Sequence, residues 1–203
     1  PTHPHTHPPT PTPPPHKHPT HTNTHLKPPQ QRPNPREDAE VNEDCLPGET
    51  PDTYVCRVAQ AKARFGADLL KRRPLVPHPV LAADTTLDVD GEIIAKPRDA
   101  ADAIAILTRL SGRSHRVLTA IAMARGERIE CRLSVSEVRF RALAAEEIRR
   151  YVQTGDPMDK AGAYGIQGRA AIFVESISGS HSGIVGLPLC ETALLLREFG
   201  YPL

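Results

Sequence analysis

The composition of this chain changes abruptly near Asp38, and that break limits what it can fold into. Before it lie seven of the ten His and thirteen of the 22 Pro, in runs such as "PTHPHTHPPTPTPPPHKHPTHTNTH". Proline fixes φ and removes backbone donors, and Leu26 is the only large aliphatic side chain there. Residues 1–38 therefore cannot bury a core and are expected to form an extended, polyproline-like disordered tail. Pro1 in place of Met, together with the His/Pro/Thr bias, points to a displaced or degenerate start. Residues 39–203 are enough for one globular domain. Lys17, Lys27, Arg32 and Arg36 give the first 36 residues a charge of +4, so with +1 overall the remainder carries −3. A mildly acidic body lacks the basic face of a nucleic-acid binder, so no nucleic-acid partner is expected. No run approaches the roughly 20 apolar residues of a membrane span, and no signal-type stretch occurs, so the expected setting is cytoplasmic with no membrane partner. Cys45, Cys56, Cys131 and Cys190 form no C-x-x-C and are expected to be reduced and at least partly buried.

Within the body, helical and strand patterns interleave. Thr50 and Pro51 open a helix striped with Tyr54, Val58, Ala61 and Phe65 and expected to end at Gly66. "PVLAAD" (79–84) predicts a buried strand ending at Asp84, and "LDVDGEII" a hairpin turning at Asp90-Gly91. Asp99 caps a second helix with Ala103, Ile106, Leu107 and Leu110 on one face, stopped at Ser111-Gly112. Strands near 117–124 and 129–140 turn at Gly126. A helix over 145–153 buries Ile148, Tyr151 and Val152. A strand "AIFVESI", a turn at Gly179-Ser180 and a helix over 189–199 complete the pattern. These elements predict an α/β fold, a mixed twisted sheet flanked by helices.

The candidate chemistry clusters around Asp84, a carboxylate in a strand context suited to a general base or metal ligand, or otherwise a turn aspartate. Lys62 and Lys96, taken singly, read as solvated cations. Converging with Asp84 and a second acid such as Glu43 or Asp159, they would form a polyphosphate-metal site. "DKAGAYGIQG" (159–168) reads two ways, as a pliable connection or as a ligand wall. Its glycines allow close backbone approach, Lys160 offers a charge for phosphate, and Gln167 carries both a donor and an acceptor for a base edge. "GSHSG" (179–183) is not Gly-x-Ser-x-Gly and reads as a turn. His3, His5 and His7 define no metal site.

The blocks "LPGETPDTYVCRVAQAKA", "VLAADTTLDVDGEIIAKPRDAADAIAILTRLSGRSHRVLTAI", "DPMDKAGAYGIQGRAAIFVESISGS" and "GIVGLPLCET" resemble, in order over about 40–200, the Maf family of nucleoside triphosphate pyrophosphatases. The resemblance implies a Maf/inosine-triphosphatase-like fold with a central nucleotide cleft. It also implies hydrolysis of dTTP, UTP or modified pyrimidine nucleoside triphosphates to the monophosphate and pyrophosphate, with a divalent cation, Mg²⁺ or Mn²⁺. On matching motifs, Asp84 corresponds to the proton acceptor and Thr85 and Gln167 to residues tied to substrate choice. Lys62, Lys96 and Lys160 correspond to substrate-binding residues, and Glu43 with Asp84 to the metal site. The resemblance is compatible with a homodimer.

One block departs. Where the family has a strand running into Ser-x-Ser-Pro-Arg-Arg, this chain has "QQRPNPRED", and Arg32 and Arg36 do not reproduce the adjacent pair. The body is therefore expected to lack the family's first strand and loop. Position 181 is His where the family commonly has Tyr, and 183 is Gly where it commonly has Asn. The alternative function is a noncatalytic nucleotide-binding or septum-formation regulatory protein.

Overall fold

A computed structural model describes residues 41–202 apart from 75 and 77. The expected tail, the replaced block and its arginines lie outside the described residues. The body consists of α1 (Pro51–Lys71), β1 (Val80–Val89), β2 (Glu92–Ile94), α2 (Ala100–Leu110), β3 (Ser114–Arg125), β4 (Arg128–Phe140), α3 (Ala145–Gln153), β5 (Val174–Ser178), α4 (His181–Val185) and α5 (Leu189–Glu198). The strands form one sheet in the order β2-β1-β3-β4-β5. The architecture is α/β with flanking helices, as expected. Where a mixed sheet was expected, all four described pairings are antiparallel. Two of them follow from tight turns, which can join only antiparallel neighbours. At the first, Asp90 (φ 58°) and Gly91 (φ 86°) both occupy the left-handed region that a type I′ turn demands.

The two sheet faces are separated by the alternation along β3. Leu118, Ala120, Ala122 and Ala124 pack under α1 against Val55, Ala59, Ala63 and Ala67. Ile121 and Met123 pack on α5 through Leu195 and Phe199, and Val117 joins the core beneath α2 and α3. Because strand pairs share a face, the register Asp84↔Ala120 places Asp84 on the α1 side, and Thr85↔Thr119 places Thr85 on the other. Along Val80–Thr86, β1 has no second partner strand among the described residues, since β2 covers only Leu87–Val89.

Three local expectations are corrected. The first helix does not stop at Gly66 but continues to Lys71, and its buried stripe is Val55, Val58, Ala59, Ala63 and Ala67. Gly66 serves close packing there: a Cβ would meet Val80 Cγ1 at 2.8 Å. The strand does not end at Asp84 but runs on to Val89, placing Asp84 in mid-strand. The strand expected at Ala171 starts at Val174, because Arg169–Phe173 forms a 3-10 turn. The Asp99 cap, the hydroxyl cap at Thr50 and the buried Ile148, Tyr151 and Val152 of α3 are as expected. All four cysteines are free, but Cys45 and Cys190 are exposed rather than buried.

Candidate active site

Asp84 stands where α1 crosses β1. Lys62, three turns into α1, places its Nζ 2.7 Å from Asp84 Oδ1 and 2.7 Å from Glu43 Oε1, so one ammonium bridges two carboxylates. Glu43 precedes any regular element and is held there by a clamp. Arg57 forms a fork with Glu49 at 2.6 and 2.9 Å, and donates to the carbonyls of Asn42 at 3.1 Å and Asp44 at 2.8 Å. The Tyr54 hydroxyl donates to Glu43 O at 2.9 Å. A charge-assisted fork of this kind fixes a segment in position as well as adding energy.

The electrostatics suit proton transfer. Burial is the strongest influence on Asp84 and raises its carboxyl above the ordinary value, outweighing the hydrogen bond and charge of Lys62. For Lys62, burial alone would depress the ammonium. The combined hydrogen bonds and charges of Asp84 and Glu43 instead hold its pKa above the ordinary lysine value, so it stays protonated.

Beside this cluster opens a cavity of about 360 Å³, lined by Asp84, Thr85, Lys96, Asp159, Lys160, Gln167 and Gly186, with Leu87, Val117, Tyr164 and Ile184 as apolar wall. Five of the sequence-selected residues, Asp84, Thr85, Lys96, Lys160 and Gln167, thus face one space, and Lys62 and Glu43 join it through Asp84. Lys160 is engaged within its own segment, donating to Asp159 Oδ1 at 2.6 Å and Asp156 O at 2.9 Å. Among the described residues no group of three or more His, Cys, Asp or Glu is placed to hold a metal ion. Glu43 and Asp84 supply two hard oxygen donors, which fits Mg²⁺, an ion that keeps waters and takes substrate phosphate oxygens in addition to one or two carboxylates.

The decapeptide forms the wall opposite β1. Gly162 (φ 69°) and Ala163 (φ 61°) are consecutive left-handed residues, and a Cβ at 162 would overlap Leu87 Cδ2. Gly162 N donates to Ala95 O at 3.2 Å, tying the loop to the residue before Lys96. Tyr164 inserts among Phe140 and Phe173, and its hydroxyl lies 2.7 Å from His115 Nε2. Burial holds His115 down at about 4, so that ring is neutral.

Sequence reasoning missed the clamp of Glu49, Tyr54 and Arg57, the His115–Tyr164 anchor, and Thr119, whose only sign was a hydroxyl within the apolar run "VLTAIAMA". Ser180 is the hydroxyl cap of α4, accepting from Gly183 N at 3.0 Å, in keeping with its reading as a turn residue. Gly183 packs onto β4, where a Cβ would lie 2.8 Å from Ser134 Oγ.

The α/β sheet with an acid-lysine cluster beside a glycine-walled cleft matches one family over most of the chain: the model for Maf-like protein covers residues 25–199, and the chain belongs to the Maf family. Among its relatives, a protein named dTTP/UTP pyrophosphatase from Aromatoleum aromaticum is 61% identical over 166 residues, covering 82% of this chain and 81% of the relative. One of the same name from Dechloromonas aromatica is 57% identical over 82% of this chain and 83% of its own length. A third, from Burkholderia pseudomallei, is 60% identical over 81% of this chain and 80% of its own length.

Proposed function

We propose that this protein is a nucleoside triphosphate pyrophosphatase acting on dTTP and UTP. The observation that carries the reading is Asp84: a desolvated carboxylate with a raised pKa, hydrogen-bonded to Lys62 and facing a cavity of nucleoside dimensions. The names of the relatives support the substrate class. Asp84 acts as general base, accepting a proton from the water that attacks the α-phosphorus, with the pyrophosphate leaving in line. Lys62 and Lys96 offset the charge gathering on that leaving group, and Lys160 adds a further cation at the cleft wall. Thr85 and Gln167 read the base. A divalent cation held by Glu43 and Asp84 would supply charge neutralisation at the phosphate oxygens. The reading places the protein in the cytoplasm, where nucleoside triphosphates are held. A homodimer is the expected assembly, read by light scattering.

The test is pyrophosphate release from each ordinary nucleoside triphosphate with Mg²⁺, on the full chain and on Asp84→Asn, after circular dichroism establishes folding. Turnover of dTTP and UTP that Asp84→Asn abolishes is the expected result. Silence from the folded chain, and from a version carrying the family's Ser-x-Ser-Pro-Arg-Arg block in place of residues 30–38, would overturn it. Tight nucleotide binding without turnover would favour the noncatalytic regulatory reading.

A further inference from the structure

The wall of the cleft contains a chain of hydroxyl groups whose protons can be assigned. Thr85 and Thr119 face each other across β1 and β3 with their Oγ1 atoms 2.8 Å apart. Thr119 is fully buried, and its Oγ1 lies 2.7 Å from the carbonyl oxygen of Gly183 in α4. A carbonyl only accepts and a hydroxyl has one proton to give. The Thr119 proton therefore goes to Gly183 O, since two unprotonated oxygens at that separation would repel. Thr119 then has only a lone pair to offer Thr85, and the Thr85 proton is drawn inward to it. What Thr85 leaves for the cavity is lone pairs. Its Oγ1 faces the cavity wall at Gly186, 3.6 Å from where a Cβ there would stand.

We propose that Thr119 is a positioning residue that fixes Thr85 as an acceptor toward the cleft, and that this polarity selects a base presenting an imide N–H at ring position 3, as uracil and thymine do, over cytosine, whose ring nitrogen there is itself an acceptor. The inference rests on the pyrophosphatase reading and deepens it by naming what sets the choice of base. A site that requires a donor rejects an analogue lacking it, because facing lone pairs are left unpaired in a desolvated space. Gln167 cannot impose such a choice alone, because an amide can present either its donor or its acceptor.

The experiment measures kcat/KM for UTP and CTP on the full chain, Thr119→Val and Thr119→Ser, with folding checked by circular dichroism and melting. Thr119→Val has no acceptor for the Thr85 proton, which is then free to serve cytosine. The expected outcome is a fall in the UTP to CTP ratio by about tenfold or more, carried by a gain for CTP, with Thr119→Ser near the parent. A folded Thr119→Val that loses both activities equally and keeps the ratio would overturn the proposal. Should Thr119→Val fail to fold, the unaltered protein decides with N3-methyluridine monophosphate. Binding as tight as uridine monophosphate overturns the proposal, and loss of binding by about tenfold or more supports it. If neither the unaltered chain nor the version with the restored block turns over any nucleotide, the catalytic reading fails by itself, and the same ratio is read from binding of uridine and cytidine monophosphates.

Discussion

Replacing Lys62 by Met removes the one cation that touches both carboxylates while keeping a side chain of similar reach on α1. Unit charges about 4 Å apart attract by about 4 kcal/mol at an effective dielectric near 20. The Lys62 side chain is 28% exposed and that of Asp84 11%, so solvent screening brings the loss to about 1.5–3 kcal/mol. At 1.36 kcal/mol per pH unit, the Asp84 pKa should rise by about one to two units beyond its already raised position. Burial and the negative charge of Glu43 push in the same direction once the ammonium is gone. The acid limb of kcat/KM for UTP, which requires the carboxylate form, should move to higher pH by that amount, and a carboxyl NMR titration of Asp84 reads the shift independently of turnover. The stability sign follows. A carboxyl whose folded pKa lies above its unfolded value contributes stability that is full below the unfolded pKa and is lost as pH rises through the folded pKa. Lys62→Met should therefore be least destabilised in mild acid and most at neutral pH. Asp84 titrating at or below its parent pH in folded Lys62→Met would refute the reasoning.

Three further outcomes are expected. Gly162→Ala places a methyl against Leu87 in a left-handed backbone and should cost about 2–4 kcal/mol by urea denaturation, partly recovered with Leu87→Ala. Arg57→Ala releases residues 42–49 from α1 and should raise the Mg²⁺ or UTP concentration needed for half-maximal rate by about threefold to tenfold, through displacement of Glu43. Thr50→Ala removes the α1 cap and should cost about 1 kcal/mol in the same denaturation assay, with kcat unchanged.

What was legible in the sequence was local. The Asp99 cap, the Asp90-Gly91 turn and the apolar stripe of α3 are determined by neighbours within a turn or two, and each stands where the pattern put it. Gly66 misled because its signal as a helix end is local while its use, contact with Val80, is tertiary. Asp84 read as a strand end because the apolar run stops there, yet the ladder with β3 continues through Thr85 and Thr86. The union of Lys62 with Asp84 depends on α1 folding across β1 and β3, and the Thr119 contact joins residues 64 positions apart. Neither separation leaves a periodic trace in the chain. The family resemblance supplied the site residues that spacing alone left as single cations and a turn acid.

Asp84 and Thr85 are consecutive, and the pleat of β1 sends them to opposite sides of the sheet. One backbone step thus gives the single cavity that both residues line two sides, one under α1 that the proposed reading uses for breaking bonds and one toward α4 that it uses for telling bases apart. Drift on the α4 side can retune the nucleotide accepted while the hydrolytic side stays as it is. A slip of β1 by a single residue would exchange the two and disable both, so the long ladder with β3 guards a division of labour as well as a fold.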